Sequence, residues 1–451
     1  VARAAAAYLA DDAQRVFGAG LASAADTPDR FLARPPALRE RAARELAMFA
    51  AYRLARTQPD LAASHWERLG NQVSAGERQY TWGQIAYQAA RRLDSDALDW
   101  YARADGYPLG DLQLEWKARA ALRAGRWDVV QATIDAMSEA NRQRPAWRYW
   151  KARALKAQGR VADANALLAP LSGEFGYYGQ LASEELGTVA GPPGVAFKPS
   201  GDEVAAVRRL PGIQRALALH RLDMPAAANK EWVFATRGFS DRQLLAAAEL
   251  ARREDWIDRS INTASQTVAL HDFTLRFPLP HYERLNAYTR ERGLDDTWVY
   301  GLIRQESRFA ATARSQVGAS GMMQLMPATA RWVAKKLGTR HYDGNSINDL
   351  DTNLSFGTYY LRHVLDQLGG NPVLATAAYN AGPGRARRWR GAWEMEGAIY
   401  AETIPFTETR DYVQKVMSNA AYYAGIIGRG VTALKTRMGT VTGIATEADG
   451  Q

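Results

Sequence analysis

The sequence predicts an almost entirely α-helical protein, in which a superhelical repeat region is followed by a further helical domain. Apolar residues recur at helical spacing through most of the 451 residues, and strand signals are sparse. Trp82, Trp116 and Trp150 are each 34 residues apart, and this period is typical of helical hairpins that stack into a curved superhelix. Because regular spacing favours structure over binding, we expect these tryptophans to pack between helices and not to act as binding platforms.

Proline and glycine divide the chain into segments. The stretch 187–201, which contains Gly191-Pro192-Pro193-Gly194, predicts a loop between helical units. Phe277-Pro278-Leu279-Pro280 stops helix formation and marks the entry into another domain. We therefore predict a superhelix of tetratricopeptide-like repeats over residues 1–200, a helical linker domain over 201–275, a separate helical domain over 276–440 and a small, polar, flexible tail over 441–451.

The composition excludes several kinds of site. Cysteine is absent, which excludes a disulfide, a thiol nucleophile and a cysteine-based metal site. The six histidines form no helical pair at metal-ligand spacing, and we predict neither a metal nor a cofactor. The chain begins at Val1 and contains no long apolar run. We therefore expect a secreted protein whose signal has been removed and which has no transmembrane segment.

The net charge of +9 suits a polyanionic partner, such as nucleic acid, an anionic membrane or a polymer that carries carboxylates. The arginines are scattered along the helical region, however, which favours a solvated helical surface. Because no nucleic-acid motif accompanies the charge, we predict no nucleic-acid partner.

Glu306 is a carboxylate on the apolar face of a predicted helix, which opens with the capping residues Asp295-Asp296-Thr297. The apolar stripe of this helix consists of Trp298, Val299, Leu302 and Ile303. Glu306 takes the next position on the stripe, ahead of Phe309. A glutamate at a helix end is most often exposed, but a carboxyl group held against apolar surface has a raised pKa, since burial disfavours its charged form. Glu306 is therefore a candidate proton donor near neutral pH.

Three clusters follow Glu306 within about a hundred residues. They are Gly318–Pro327 with Ser315 just ahead of it, Ala378–Gly384, and Ile404–Val413. Each joins a tight-turn residue to uncharged polar side chains and to soft or aromatic ones. Each alone predicts an ordinary loop, but their order after Glu306 indicates a groove that offers amides, hydroxyls and apolar faces to a sugar.

In these motifs the chain resembles the family 1 lytic transglycosylases, the soluble type with a large helical ring ahead of a lysozyme-like domain. The resemblance rests on Glu306–Phe309, Gly321–Pro327, Ala378–Gly384, Ile404–Phe406 and Glu408–Arg410. It is dense over roughly residues 276 to 425, and the upstream region agrees in helical character. Met322 stands where many members carry leucine, which leaves the groove apolar. The resemblance implies that the domain over 276–440 is a lysozyme-like catalytic domain.

The resemblance also implies the roles of individual residues. Glu306 would be the single catalytic acid and base, and Glu408 would lie close to the reacting sugar. The groove would be lined by Ser315, Gln324, Met326, Tyr379 and Asn380. The implied substrate is bacterial peptidoglycan, cut between N-acetylmuramic acid and N-acetylglucosamine with formation of a 1,6-anhydromuramyl end. The implied location is the periplasm, with association with the outer membrane left open, and other cell-wall proteins are candidate partners.

The residues themselves offer a reason why one carboxylate suffices. Ordinary glycosidases use two, whereas this chain has no Asp or Glu from Ser307 through Tyr342. Glu306 as an acid would protonate the departing glycosidic oxygen. As the resulting carboxylate it would take the proton of the sugar's own 6-hydroxyl, which attacks the anomeric carbon.

Several alternatives stay open at the level of sequence. Glu408 either contacts substrate or pairs with Arg410 or another arginine as part of the scaffold. The same groove also suits a lysozyme-like hydrolase with water as acceptor, or a non-catalytic helical-repeat scaffold that binds cell-wall glycan. The superhelix either guides glycan strands to the groove or docks the protein to a partner.

Overall fold

The computed structural model describes residues 11–194, 196–339 and 342–444. The described chain is almost entirely helical, as predicted. The helices are α1 Asp11–Asp26, α2 Pro28–Ala33, α3 Arg41–Ala55, α4 Pro59–Leu69, α5 Ala75–Arg92, α6 Ala97–Ala102, α7 Asp111–Arg123, α8 Trp127–Asp135, α9 Glu139–Arg142, α10 Pro145–Ala157, α11 Val161–Ser172, α12 Tyr177–Glu185, α13 Gly201–Arg208, α14 Pro211–Arg221, α15 Pro225–Ala235, α16 Asp241–Arg253, α17 Ile257–Ala264, α18 Phe273–Arg276, α19 Tyr282–Glu291, α20 Asp296–Glu306, α21 Pro327–Leu337, α22 Leu350–Gln367, α23 Pro372–Ala381, α24 Pro383–Arg388, α25 Gly397–Thr403, α26 Thr407–Ile427 and α27 Leu434–Met438. Short 3₁₀ turns lie at Gly70–Gln72 and Ser346–Asn348, and two-residue strands at Met395–Glu396 and Thr440–Val441. No helix in the described ranges is both long and apolar enough to cross a bilayer.

The chain forms two compact units. The first contains the described residues through Gly173, the segment Trp389–Arg410, and the described residues from Thr442. The second contains Glu174–Arg388 and Asp411–Val441. The units do not follow the four predicted segments, because the linker region 201–275 and the whole of 276–388 share one unit. The boundaries after residues 200, 275 and 440 stay predictions.

The first unit is a stack of helical hairpins. Successive helices pack in chain order, for example α5 on α7, α7 on α8, and α8 on α10. The three repeat tryptophans lie on α5, α7 and α10 with exposed fractions of 4%, 4% and 0%. This burial confirms that they pack between helices, since an aromatic ring that serves as a platform has to present a face to solvent.

The segment Trp389–Arg410 is anchored to these hairpins by arginines of the repeat. Arg119 on α7 donates to the Glu402 carboxylate at 3.0 Å, and both side chains are almost completely buried. Arg153, one repeat later on α10, donates through both terminal nitrogens to Glu396 at 3.1 and 3.0 Å. Paired and hydrogen-bonded charges of this kind tolerate burial that a lone charge does not.

The second unit contains two core regions that bear on the site. One consists of α20 with the part of α26 beyond Arg410, which approach each other closely at Gly301. The other packs α21 and α22 around Leu325, Val333 and Phe356. The loop predicted at 187–201 separates α12 from α13, and Phe277–Pro280 lies between α18 and α19, as predicted.

The flexible tail over 441–451 stays a prediction, although two of its first residues are buried. Val441 is completely buried, and Gly443 is buried too. An added Cβ at Gly443 would lie 2.3 Å from the carbonyl oxygen of Ala392, so the backbone is in close contact there. Burial of an apolar side chain outweighed the small and polar composition of its neighbours. Residues 445–451 lie outside the described residues.

Candidate functional site

Helix α20 positions Glu306. Its N-cap is Asp295, whose carboxylate accepts from the backbone N–H of Thr297 at 2.9 Å, as the capping pattern predicts. The predicted apolar stripe is buried, with exposed fractions from 0% to 3%. Glu306 is the last residue of the helix, and its side chain is half-buried. The glutamate is therefore held by a rigid, packed helix and does not lie in bulk solvent.

The chain reverses sharply after Glu306. Arg308 and Phe309 both adopt a left-handed backbone, with φ of 51° and 67°. Residues other than glycine adopt this conformation at a cost, which the surrounding packing must offset. The Phe309 ring is buried and lies 5.6 Å from the ring of Tyr300. This contact fixes the turn that ends α20 at the glutamate.

Tyr412 of α26 donates a hydrogen bond from its hydroxyl to Glu306 Oε1 at 2.5 Å. Helix α26 reaches this position because Gly301 has no side chain. An added Cβ there would lie 2.7 Å from the carbonyl oxygen of Val416 and 2.9 Å from the amide nitrogen of Ala420. Backbone contact between the two helices thus sets the distance between the glutamate and its tyrosine.

Tyr379 of α23 also interacts electrostatically with Glu306. Burial first, and then the charge of Glu306, raise the pKa of Tyr379 well above its ordinary value. Burial, the charge of Glu306 and the hydrogen bond to it do the same for the pKa of Tyr412. Both phenols therefore stay protonated across the physiological pH range, and each remains a hydrogen-bond donor. The Tyr379 hydroxyl donates to the carbonyl oxygen of Met323 at 2.7 Å, which ties the Gly318–Pro327 loop to the site.

A buried asparagine and a constrained glycine shape that loop. Asn353 accepts from the Met323 N–H at 2.7 Å and donates to the carbonyl oxygens of Ser320 and Ile347. Gly321 has φ of 79°, and an added Cβ would lie 2.0 Å from the Asn353 amide nitrogen. Only glycine fits this position, because both the backbone conformation and the neighbouring amide exclude a side chain.

Gln324 also adopts a left-handed backbone, with φ of 47°. Its amide nitrogen donates to the carbonyl oxygens of Ala313 and Gly321, at 2.9 and 2.7 Å. The side chain therefore braces the loop, and its carbonyl oxygen is the group it can offer to a ligand.

The other predicted groove residues in the second unit lie on the elements around this loop. Ser315 is half-buried, and its hydroxyl oxygen accepts from the Ala319 N–H at 2.9 Å. Met326 lies directly before α21 and is 41% exposed. Asn380 follows Tyr379 on α23 and is half-buried. These residues lie on the loop before α21 and at the ends of α21 and α23, and their contact with a substrate stays a prediction.

Glu408 belongs to the first unit, where it lies exposed on the first turn of α26. The arginine partner suggested for it is not present among the described residues, since Arg410 instead donates to the Ile404 carbonyl and the Thr407 hydroxyl. Its role near the sugar stays a prediction.

Tyr412 is a site residue that the sequence pattern did not reveal, although it falls inside the third cluster. Its partner lies 106 positions earlier in the chain, and nothing in the local pattern identifies which face of α26 meets α20. The signal that existed was Gly301, a glycine inside a strongly apolar helix, which marks a close backbone approach.

A group of carboxylates elsewhere in the chain could hold a metal ion. Within the described ranges, the carboxylates of Asp60, Asp94 and Asp96 bring one oxygen each within 4.8 Å of one another. They lie in the first unit, and the Glu306 site contributes no ligand to them.

Three known families match parts of this chain. The Transglycosylase SLT domain family matches residues 283–398, the Soluble lytic murein transglycosylase L domain matches 206–272, and the Soluble lytic transglycosylase helical domain matches 403–431. The soluble lytic murein transglycosylase of Salmonella typhimurium is 30% identical over 367 residues, which are 81% of this chain and 54% of that protein. The protein of the same name from Escherichia coli K12 is 29% identical, over 80% of this chain and 53% of that protein. The chain thus spans about half the length of the curated relatives it matches.

The solved structures align with larger shares of this chain and of their own chains. The X-ray structure of an inactive glutamate-to-glutamine mutant of the lytic transglycosylase Slt from Pseudomonas aeruginosa is 32% identical, with a TM-score of 0.81, over 96% of this chain and 71% of that one. The 70 kDa soluble lytic transglycosylase from Escherichia coli is 26% identical, with a TM-score of 0.75, over 97% of this chain and 71% of that one. Sequence and fold agree along nearly the whole chain, and the chain therefore belongs to the soluble lytic murein transglycosylase family.

Proposed function

We propose that this chain is a lytic transglycosylase that cleaves the β-1,4 bond between N-acetylmuramic acid and N-acetylglucosamine in peptidoglycan. The observation that carries the proposal is the position of Glu306, at the end of a buried helix and in a hydrogen bond with Tyr412. The names of the relatives, which act on murein, support the substrate. The inactive glutamate-to-glutamine mutant of the Pseudomonas aeruginosa protein supports a glutamate as the reacting group.

In the first step, the protonated Glu306 carboxyl gives its proton to the glycosidic oxygen. The bond from that oxygen to the anomeric carbon breaks, and positive charge develops on the sugar ring. The new Glu306 carboxylate is stabilised by the Tyr412 hydroxyl, which already donates to it. The Tyr379 phenol adds a second neutral dipole nearby.

In the second step, the same carboxylate removes the proton from the 6-hydroxyl of the muramic acid, and the 6-oxygen bonds to the anomeric carbon. The proton that left Glu306 is thereby replaced, and no water is consumed. Tethering of the 6-hydroxyl to the reacting sugar supplies the proximity that a separate water molecule lacks. This route needs one carboxylate, in keeping with a sequence that has no Asp or Glu from Ser307 through Tyr342.

Each predicted groove residue has a group that could contact the sugar. Met326 presents an exposed thioether beneath a sugar face. Gln324 presents its amide oxygen, since its nitrogen is taken up by the loop. Ser315 keeps a hydroxyl proton to donate, and Asn380 adds a second amide. Glu408 is the remaining candidate contact.

The proposed substrate places the protein outside the cytoplasm, in the periplasm, where glycan strands are accessible. Association with the outer membrane or with proteins of cell-wall synthesis is part of the proposal. The stacked hairpins of the first unit offer an extended surface for such a polymer or partner.

The test is digestion of purified peptidoglycan with the wild-type chain beside Glu306→Gln, followed by mass spectrometry of the muropeptides. We expect new ends that are lighter by one water than reducing ends, and we expect them only with the wild type. Reducing ends from the wild type would assign a hydrolase, and unchanged turnover in Glu306→Gln would assign the chemistry to another group. A wild type that binds but does not cut would support a scaffold.

A further inference from the structure

Three arginines of the repeat helices face the segment Trp389–Arg410, and two of them have an acidic partner there. Arg119 pairs with Glu402 and Arg153 with Glu396. Arg123, one turn after Arg119 on α7, has none among the described residues. Its Nη1 donates to the Trp389 carbonyl at 3.1 Å, to the Thr403 hydroxyl at 3.0 Å, and weakly to the Met395 sulfur at 3.7 Å.

The lack of an acidic partner is unusual for an arginine in the surroundings of Arg123. Burial lowers the pKa of Arg123 to about 10, which means that its charged form is poorly solvated. A partly buried cation is normally matched by an anion. Its Nε and Nη2 receive no partner from the described residues. Gly391 lies close beside Nη2, since an added Cβ would lie 3.3 Å from that nitrogen and 2.6 Å from the Met395 methyl.

Arg123 lines a cleft of about 270 Å³. Its apolar wall comes from Leu93, Leu98 and Met395, and Trp393 stands at the cleft with 75% of its surface exposed. The space corresponds to roughly nine water molecules at about 30 Å³ each, which is the size of one or two small amino acids.

Acidic side chains also line the cleft. Asp94 and Glu394 both line it, and Glu394 has no ion-pair partner in the described parts of the chain. Asp94 lies beside Asp60 and Asp96, and burial together with these like charges raises the pKa of Asp94. A cation placed here would relieve that repulsion. The cleft is thus lined by one cation, two carboxyl groups and several apolar side chains.

We propose that this cleft binds a small zwitterion, an amino acid or dipeptide with small apolar side chains. The ligand carboxylate pairs with Arg123, and its ammonium group faces Asp94 and Glu394. Arg123 is suited to a carboxylate because its guanidinium offers two free donors in one plane. The cleft lies wholly within the first unit, and binding there does not depend on the chemistry proposed for Glu306.

Calorimetric titration of the full chain with alanyl-alanine, in its L,L and D,D forms, tests the proposal. We expect saturable binding of at least one form. Amidation of the carboxylate is expected to weaken binding about tenfold or more, since it removes a charge-assisted pair, and acetylation of the amine to weaken it as well. The ligand series needs no mutation, so its outcome does not depend on the folding of a variant.

Variants then locate the site. Gly391→Leu keeps Arg123 but adds a bulky side chain beside its guanidinium, and should abolish binding. The Met395 methyl, 2.6 Å from the added Cβ, is the flexible end of a side chain and can move aside. Arg123→Gln should also abolish it. Arg126→Gln removes the same charge from an exposed arginine that pairs with Asp128, and should bind like the wild type. Absence of binding, equal affinity for the amide, or unchanged affinity in Gly391→Leu would overturn the proposal.

Discussion

Two glutamates, one in each unit, are shielded from bulk solvent but have different hydrogen-bond partners. Glu402 is 1% exposed and meets the guanidinium of Arg119 at 3.0 Å. Glu306 is half-buried and meets the hydroxyl of Tyr412 at 2.5 Å. An arginine beside a carboxyl group favours its charged form strongly, whereas a phenol donates a hydrogen bond without bringing a charge. The difference separates a glutamate that holds the fold from one that can exchange a proton.

The largest effect is expected on turnover in Glu306→Gln. Glutamine keeps the shape of the side chain but cannot give or take the proton, and we expect turnover to fall by about a thousandfold or more. Thermal unfolding should change little, because Tyr412 still has an oxygen to which it can donate. The measurement is the initial rate of peptidoglycan digestion, together with a melting curve for each protein. A melting temperature that falls in step with activity would mean that Glu306 is structural.

Glu402→Gln should do the reverse. Removal of the charge leaves Arg119 with Glu115 alone as its acidic partner, and we expect a loss of about 3 kcal/mol in the free energy of unfolding. The rate per folded molecule should be retained. Glu394→Gln is the matched control, because Glu394 is exposed and belongs to the same segment. If Glu402→Gln were as stable as this control, the buried pair would not anchor the segment.

Gly301→Ala tests whether helix contact sets the geometry of the tyrosine-paired glutamate. The added methyl would press against the backbone of α26 at 2.7 and 2.9 Å, and we expect a loss of about 1–3 kcal/mol in stability. Activity should fall further than stability explains, because the two helices carry Glu306 and Tyr412. Denaturant unfolding and turnover are measured together.

Gly384→Ala supplies the comparison for this experiment. Gly384 lies in α24, and an added Cβ there meets nothing within 4 Å, so stability should be unchanged or slightly higher. Equal behaviour of the two alanine variants would contradict a close helix approach at Gly301.

Much of this site could be predicted from sequence, because local rules govern its parts. The cap at Asp295, the buried stripe of α20 and the position of Glu306 at its end follow from helical periodicity. The tryptophan repeat follows from its period. Each of these depends on residues within one element or one repeat.

What could not be predicted depends on contacts between distant segments. Tyr412 meets Glu306 only because α26 packs against Gly301. The Gln324 amide nitrogen turns to the backbone of its own loop, a choice decided by a left-handed conformation at that residue. The grouping of Trp389–Arg410 with the first unit depends on ion pairs between residues more than two hundred positions apart.

Tyr412→Phe removes the donor while keeping the ring. We expect turnover to fall roughly tenfold to a hundredfold, since a hydrogen bond to a charged group contributes about 1.5–3 kcal/mol. Melting should change less than in Glu402→Gln. The rate of digestion at saturating peptidoglycan is the readout, and a wild-type rate would show that the Glu306 carboxylate does not need the phenol.

The smallest effect concerns Glu249, an arginine-paired glutamate of the second unit. Hydrogen bonds from Arg252 and Arg253, against the effect of burial, lower the pKa of Glu249 to about 2 from 4.5. The paired carboxylate contributes to the free energy of unfolding because its pKa is lower in the folded state. This contribution is full above pH 4.5 and is lost as the pH falls towards about 2. Both arginines are 48% exposed, so the contribution should be about 1 kcal/mol or less.

Urea unfolding of wild type and Glu249→Gln across this pH range checks the sign. The advantage of the wild type should shrink steadily between pH 4.5 and about 2. A difference that stayed constant with pH would contradict a lowered pKa at Glu249.

The most direct test of the single-glutamate chemistry is digestion of peptidoglycan in water enriched in heavy oxygen. If the 6-hydroxyl of the sugar is the nucleophile whose proton returns to Glu306, the newly formed muramyl ends carry no label. Labelled oxygen at the anomeric carbon of those ends would mean that solvent attacks, and that the tyrosine-paired carboxylate serves a hydrolase.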